Sequence, residues 1–378
     1  MKARETAVLF FDGKAVAIEV IFGCGTVFSC AKEYAGIENG EFVDEAEFLS
    51  AVKYLFGVAR LKERKITSVF VSIPAEFSAV AVQVASEEFS TAHRVTQGDI
   101  YDLTSHDEFS KSAEFVTIIS SPATFSTEKF CDLPSALGVP AKKLSASMTY
   151  ILCDRNKQDK IKAMMAEAGI SRVEFVSSTF ALPQVFVDVE LRDAGALILD
   201  MGFSSSALIF AKSDGILGAQ SIPFGIAHIA QFTAESLSIT PECALNVLPL
   251  VSLSIVGNKE SYYVSNGTEV VALSIYDVNR AVKKTLFDMA EYITVAINNL
   301  GATSCTAVHI SGEILRIKGA VKVVAGCVGK DIMPVIMPNP MYSEAGDAER
   351  FAVIEHVKTI VKFRESQSFL SRLRRKVS

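Results

Sequence analysis

The chain has 378 residues, 49% of them apolar and 21% charged, with a formal net charge of −6. That length fits roughly two to three domains or one large bilobed unit, and the apolar share excludes a disordered chain. The acidic balance argues against nucleic acid as a partner. Seven cysteines without a CxxC pair form neither a disulfide framework nor a zinc site, which fits a reducing cytoplasm.

Two apolar runs, Ala7 to Phe11 and Ala15 to Phe22, flank Asp12-Gly13, a strong hairpin signal. A helix is predicted from about Asp44, with Phe48, Val52 and Leu55 on one face. Ile66 to Ile73 reads as a buried strand stopped by Pro74, and from about Phe77 to Ala146 the texture changes to short strands and polar turns punctuated by Pro122, Pro134 and Pro140. This stretch is expected to be a small inserted α+β module. Met148 to Cys153 reads as a strand and Lys157 to Ala168 as a helix ended by Gly169.

Ala196 to Asp200 and Ala207 to Ala211 form a second hairpin around the polar loop Met201 to Ser206, and a third turn follows at Asp214-Gly215. A long helix is predicted from Asp277 as N-cap to Gly301, with Val278, Val282, Leu286, Met289, Ile293, Ile297 and Leu300 on one stripe. Ala307 to Ile310 is a strand leading into Ser311-Gly312. Strand, tight loop, strand, extra strand and helix thus occur near residue 7 and again near residue 196. Two similar halves facing each other would set the two tight loops across one cleft. No segment reaches about 18 unbroken apolar residues, and Glu5 and Asp12 interrupt the start where a signal peptide needs an apolar stretch.

A nucleotide in such a cleft needs backbone N–H groups in glycine-bearing turns and an acid that organises Mg²⁺ through water. Asp12, Gly13 and Lys14 supply an acid and a cation. Asp200, Gly202, Ser204, Ser205 and Ser206 supply a second acid, a glycine and three hydroxyls, with Asp200 the candidate for metal through water. Gly225, Ser311 and Gly312 complete the candidate set. The plain alternatives stand beside these roles: Asp12-Gly13 as an ordinary hairpin turn, and His228 and His309 as structural histidines. No Ser/His/Asp or Cys/His constellation emerges from spacing, so no catalytic residue is assigned.

In order and residues the chain resembles FtsA, the actin-like bacterial division family, over nearly its whole length. Ala196-Leu-Ile-Leu-Asp-Met-Gly202 stands where that family's second phosphate loop reads VVDIGGGT. Ser221-Ile-Pro-Phe-Gly225 with His228-Ile resembles IPxGGNHIT, Val308-His-Ile-Ser-Gly312 resembles VLTGG, and Gln97-Gly-Asp-Ile-Tyr101 resembles the TxEDI stretch of the family's inserted module. The resemblance implies a bilobed actin-like α/β fold of the actin/Hsp70/sugar-kinase superfamily carrying an SHS2-type α+β insert. It implies a first lobe at 1–77 and 148–194, the insert at 78–147, and a second lobe at 195–345 with a smaller subdomain about 227–280. A return to the first lobe at 346–362 and a tail at 363–378 complete the division. It also implies possible ATP and Mg²⁺, and an adaptor that tethers FtsZ filaments to the membrane through the FtsZ C-terminal peptide, self-associates into filaments and meets other division proteins.

Several departures fall in the cleft. Phe203 and Ser204 stand where the family has glycine, Ala207 replaces a second aspartate, and Cys243 and Asn246 replace the Glu and Lys near the ribose. Glu313 and Ile226 each take a second glycine's place. Together they predict a degenerate nucleotide site with weak or absent turnover. The other readings are a PilM-like pilus-assembly platform and an active ATPase of the same superfamily.

The tail carries Lys362, Arg364, Arg372, Arg374, Arg375 and Lys376 against Glu365. Drawn as a helix, Phe369, Leu370, Leu373 and Val377 form an apolar stripe beside that basic face, the pattern of an anchor for an anionic membrane surface. The expected location is cytoplasmic, at the inner face of the cell membrane.

Overall fold

Two five-stranded sheets of matching connectivity face each other across a cleft. The computed structural model describes residues 5–377 except 24, 39, 65, 67, 256–259, 268, 339–341 and 343–345, and side chains as far as Arg364. The first lobe opens with strands β1 (Thr6–Phe11), β2 (Ala15–Phe22) and β3 (Gly25–Glu33), then the two-residue strands β4 (Ile37–Glu38) and β5 (Glu41–Phe42). Helix α1 (Glu45–Leu61) and strand β6 (Ser68–Ile73) follow. Asp44 caps α1 through the amide of Glu47, and Phe48, Val52, Leu55 and Phe56 are buried against the sheet. Burying each of these side chains contributes about 1.5–3 kcal/mol.

The insert then contributes β7 (Ser78–Arg94), α2 (Gln97–Thr104), β8 (Phe115–Thr127) and β9 (Pro140–Asp154). These are not the short strands expected: they run 17, 13 and 15 residues in one antiparallel sheet of order β7-β9-β8. The prolines do not stop them. Pro122 lies at a bulge in β8, and Pro140 opens β9, positions where a missing N–H costs no ladder bond. The strand expected over 148–153 is the second half of β9, so the boundary drawn between 147 and 148 runs through one strand.

The first lobe resumes with α3 (Arg155–Glu167), β10 (Arg172–Ser177), α4 (Ser178–Phe186) and α5 (Val189–Ala194). In the second lobe come β11 (Ala196–Met201), β12 (Ser206–Lys212), β13 (Gly215–Ile222), α6 (Ile226–Leu237), α7 (Pro241–Val247), β14 (Ser261–Asn266), β15 (Glu269–Ser274), α8 (Ile275–Asn299), β16 (Ala307–Gly312), α9 (Ala320–Val328) and β17 (Asp331–Pro334). The long helix starts two residues before Asp277: Ser274 is its N-cap and accepts the Asp277 amide, so Asp277 sits inside the first turn. Val278, Val282, Leu286, Met289, Ile293 and Ile297 are buried along it, as the spacing requires.

The sheets read β3-β2-β1-β6-β10 and β13-β12-β11-β16-β17, each an antiparallel hairpin extended by parallel strands. Helix α10 (Asp347–Val377) returns to the first lobe. Its Ala352, Val353, Ile354 and Val357 join Val8, Phe180, Ile198 and Ile209 in a core shared by both lobes. Glu19, buried in β2, binds Arg350 of α10 at 2.5 Å and accepts a hydrogen bond from Tyr342 at 2.8 Å. The side chains from Phe369 to Val377, assigned above to a membrane surface, lie outside the described residues.

Gly312 has φ +89°, and a Cβ on it would lie 2.1 Å from the Met201 carbonyl oxygen. Gly326, inside α9, meets nothing within 4 Å. Gly312→Ala should therefore destabilise by roughly 3 kcal/mol or more. Gly326→Ala should stabilise by about 0.5–1 kcal/mol. Urea unfolding of the two variants checks the contrast, and equal effects would refute it.

Candidate functional site

The turns of the two hairpins meet at the mouth of the cleft. A Cβ built on Gly13 would lie 3.1 Å from Ser204 Oγ, and Lys14 Nζ stands 5.4 Å over the Phe203 ring. Ser205 Oγ donates to Glu76 at 3.0 Å, joining the second turn to the end of β6. Because β16 runs parallel beside β11, Ser311 lies opposite Asp200 and donates to its Oδ1, while Gly312 lies opposite Met201. Above these strand ends is a cavity of about 340 Å³, lined by Asp12, Lys14, Asp200, Gly202, Phe203 and Gly312 among others. A smaller chamber of about 50 Å³ beneath it reaches Ser204, Ser205 and Ser206.

The candidate residues thus converge, but several are engaged within the protein. Asp12 Oδ1 accepts the amides of Lys14 and Ala15 at 2.7 and 2.8 Å, so this carboxylate fastens its own hairpin turn. Ser206 Oγ donates to the Phe224 carbonyl. Gly225 lies behind the second turn, where a Cβ would come 2.4 Å from the Phe203 oxygen. Cys243 is fully buried in the second-lobe core, whereas Asn246, one helical turn on, lines the cavity.

An anion is commonly held at a helix start by free amides. At the start of α6 these amides point into the second turn: Ile226 N donates to Gly202 O at 3.2 Å and Ala227 N to Phe203 O at 2.9 Å. Gly225 N donates to Nδ1 of His228, whose ring stacks on Phe224. Neither Phe203 nor Ser204 is among the residues of positive φ. The turn therefore runs in ordinary backbone at both positions, with its carbonyls directed at α6.

The electrostatics reinforce this arrangement. Asp12, Glu76, Asp200 and Glu349 line the inner chamber, and none of its lining residues is Lys, Arg or His. Burial raises the Glu76 carboxyl, with the hydrogen bond from Ser205 opposing. Burial likewise raises Asp200 against the hydrogen bond from Ser311. Glu349 is raised by burial and then by the charge of Asp200. On the rim Glu313 pairs with Arg316 at 2.9 Å, and Ile226, Leu245, Leu248 and Pro249 form an apolar wall. The inner chamber does not fit a triphosphate in this arrangement: the first α6 amides are spent, and acidic side chains line it. Among the described residues no group of three His, Cys, Asp or Glu is placed to hold a metal ion.

Sequence reasoning missed Glu76 and Glu349. Glu76 had a local signal, an acid just past Pro74 at the end of a buried strand. Glu349 had none, since an acid in the first turn of a helix is ordinary.

These features define a bilobed α/β protein with an actin-like fold and a cleft between its paired hairpins. No protein-family model matches the sequence, and no curated protein does. Among solved structures the chain is similar to a PilM–PilN type IV pilus biogenesis complex, with TM-score 0.57 and 13% identity over 92% of this chain and 91% of that one. It is similar to MreB5 of Spiroplasma citri bound to ADP, with TM-score 0.60 and 13% identity over 97% and 99%. It is also similar to the ethanolamine utilization protein EutJ from Carboxydothermus hydrogenoformans, with TM-score 0.51 and 13% identity over 89% and 87%.

A carboxyl raised in the fold holds its proton more tightly folded than unfolded, so stability falls as pH rises from the ordinary carboxylate range toward the raised value. Glu349→Gln should therefore melt above the wild type at pH 8, with the gap closing toward pH 5. Thermal melts at both values check this; a glutamine variant that melts lower at pH 8 would contradict it.

Proposed function

We propose that this chain is an actin-like adaptor that works by binding rather than by turning over nucleotide. The observation that carries this reading is the second cleft turn, whose Gly202 and Phe203 carbonyls occupy the first amides of α6 above a chamber lined by carboxylates. Any nucleotide, with or without Mg²⁺, acts in this reading as a structural ligand at the outer cavity.

The finer reading follows the resemblance to FtsA: a tether that holds the C-terminal peptide of FtsZ and self-associates into filaments at the inner face of the cytoplasmic membrane. Supporting it, α10 runs as one helix to Val377, through the basic amphipathic stretch of the sequence. A second reading, a pilus-assembly platform, is supported by the likeness to the PilM–PilN complex over 92% of this chain. Both are adaptor roles and differ in the partner.

Co-sedimentation with vesicles containing anionic phospholipid separates them. The informative truncation ends at Arg364, because Arg364 pairs with Glu174 at 2.7 Å and its removal would disturb the first lobe. The tether reading predicts that cognate FtsZ pellets with vesicles and the full chain. It predicts no pelleting with the truncated chain, or when FtsZ lacks its C-terminal peptide. Vesicle binding without FtsZ recruitment would favour the pilus reading, and failure of the full chain to bind vesicles would overturn membrane tethering.

A further inference from the structure

The hairpin β12–β13 spans the distance between the insert and the cleft. Its root is the second cleft turn: β12 starts at Ser206, and β13 ends at Ile222, just before Gly225 and α6. Its tip, Ser213 to Gly215, lies against the sheet of the insert. Strands of seven and eight residues separate the two ends, on the order of 20 Å at the rise of an extended chain.

The tip is held by specific chemistry. Thr149 of β9 is fully buried, and its hydroxyl donates to Ile216 O at 2.7 Å and accepts from Ile216 N at 2.8 Å. Ser121 of β8 donates to Asp214 O at 2.9 Å. Lys212, its side chain only 13% exposed, pairs with Asp132 at 2.7 Å. Gly215 is required by space, since a Cβ would come 2.7 Å from both Ala123 and Thr149 Oγ1. Ile216 and Ile151 are buried together in the core shared by the lobes. β13 is an edge strand paired only with β12, so the insert covers an edge that would otherwise expose its polar backbone.

We propose that the insert is a latch on the second lobe, and that by gripping the tip of β12–β13 it sets the position of the cleft turn at the root. The hairpin acts as a stiff lever. With the tip fixed through Thr149, Gly202 and Phe203 stand where their carbonyls meet the amides of Ile226 and Ala227. With the tip released, the root shifts and those amides come free. A partner that engages the insert would therefore alter the cleft without touching it, a coupling between two distinct sites.

The test is hydrogen exchange on the intact chain. Thr149→Val removes both hydroxyl bonds while keeping the branched shape, Gly215→Ala drives the tip outward, and Thr149→Ser keeps the hydroxyl. The latch predicts that the Val and Ala variants speed exchange at Gly202, Ile226 and Ala227 by roughly fivefold or more, with α1 amides unchanged and the Ser variant close to wild type. Acceleration confined to residues 121–123, 147–151 and 212–218 would overturn it, because the tip would then be only a local contact. Acceleration throughout, α1 included, would overturn it too, because Thr149 would then serve global stability alone.

Discussion

Two hydrogen bonds, from the amides of Ile226 and Ala227 to the carbonyls of Gly202 and Phe203, fix the character of the cleft. A helix start offers several amides with no partner in the helix, and what meets them decides what the site can hold. Here the protein meets them with its own backbone. The Phe203 ring is then left between Lys14 and the second-lobe core, and the acids below it have no basic neighbour in the inner chamber.

That closure depends on the doubled architecture around it. Each sheet presents a hairpin whose turn points into the cleft, and the parallel strand beside each hairpin brings a further group to the same level. Glu76 follows the end of β6 in the first lobe, and Ser311 is the penultimate residue of β16 in the second. Gly312 allows the close approach of β16 to Met201, which places the Ser311 hydroxyl on Asp200. α10 then ties the lobes together, through a shared apolar core and through Arg350 on the buried Glu19. An ion pair with one member this deeply buried matters chiefly because removing Arg350 would leave Glu19 uncompensated.

Much of this was legible in the residues where a local rule decides the outcome. Asp12-Gly13 and Asp214-Gly215 mark where the hairpins turn, but neither glycine takes a positive φ: Asp12 fastens the first turn through its carboxylate, and Ser213 takes the left-handed position in the other. The α8 stripe from Val278 to Ile297 is visible because a helix period repeated over 25 residues has few competing readings. Where two residues could serve, the boundary slipped: Ser274 and Asp277 are both good caps, and only the fold selects Ser274. The insert was recognisable as a change of texture, but its prolines suggested interruption, whereas one lies at a bulge and one opens a strand. In the cleft, the substitutions at Phe203 and Ser204 pointed to lost phosphate contacts. That the carbonyls of this turn bond the first amides of α6 required the backbone. Glu349 arrives from a helix about 150 residues beyond Asp200, so nothing local to either predicts that they share a chamber.

The most direct test of a binding role without turnover is a titration of the intact chain with Mg²⁺ and ATP, followed by a single-turnover measurement of phosphate release. A closed second turn predicts no saturable binding tighter than about millimolar and no release above the protein-free rate. Micromolar binding accompanied by released phosphate would show that the amides of Ile226 and Ala227 can leave their carbonyls for a ligand, and would contradict the account.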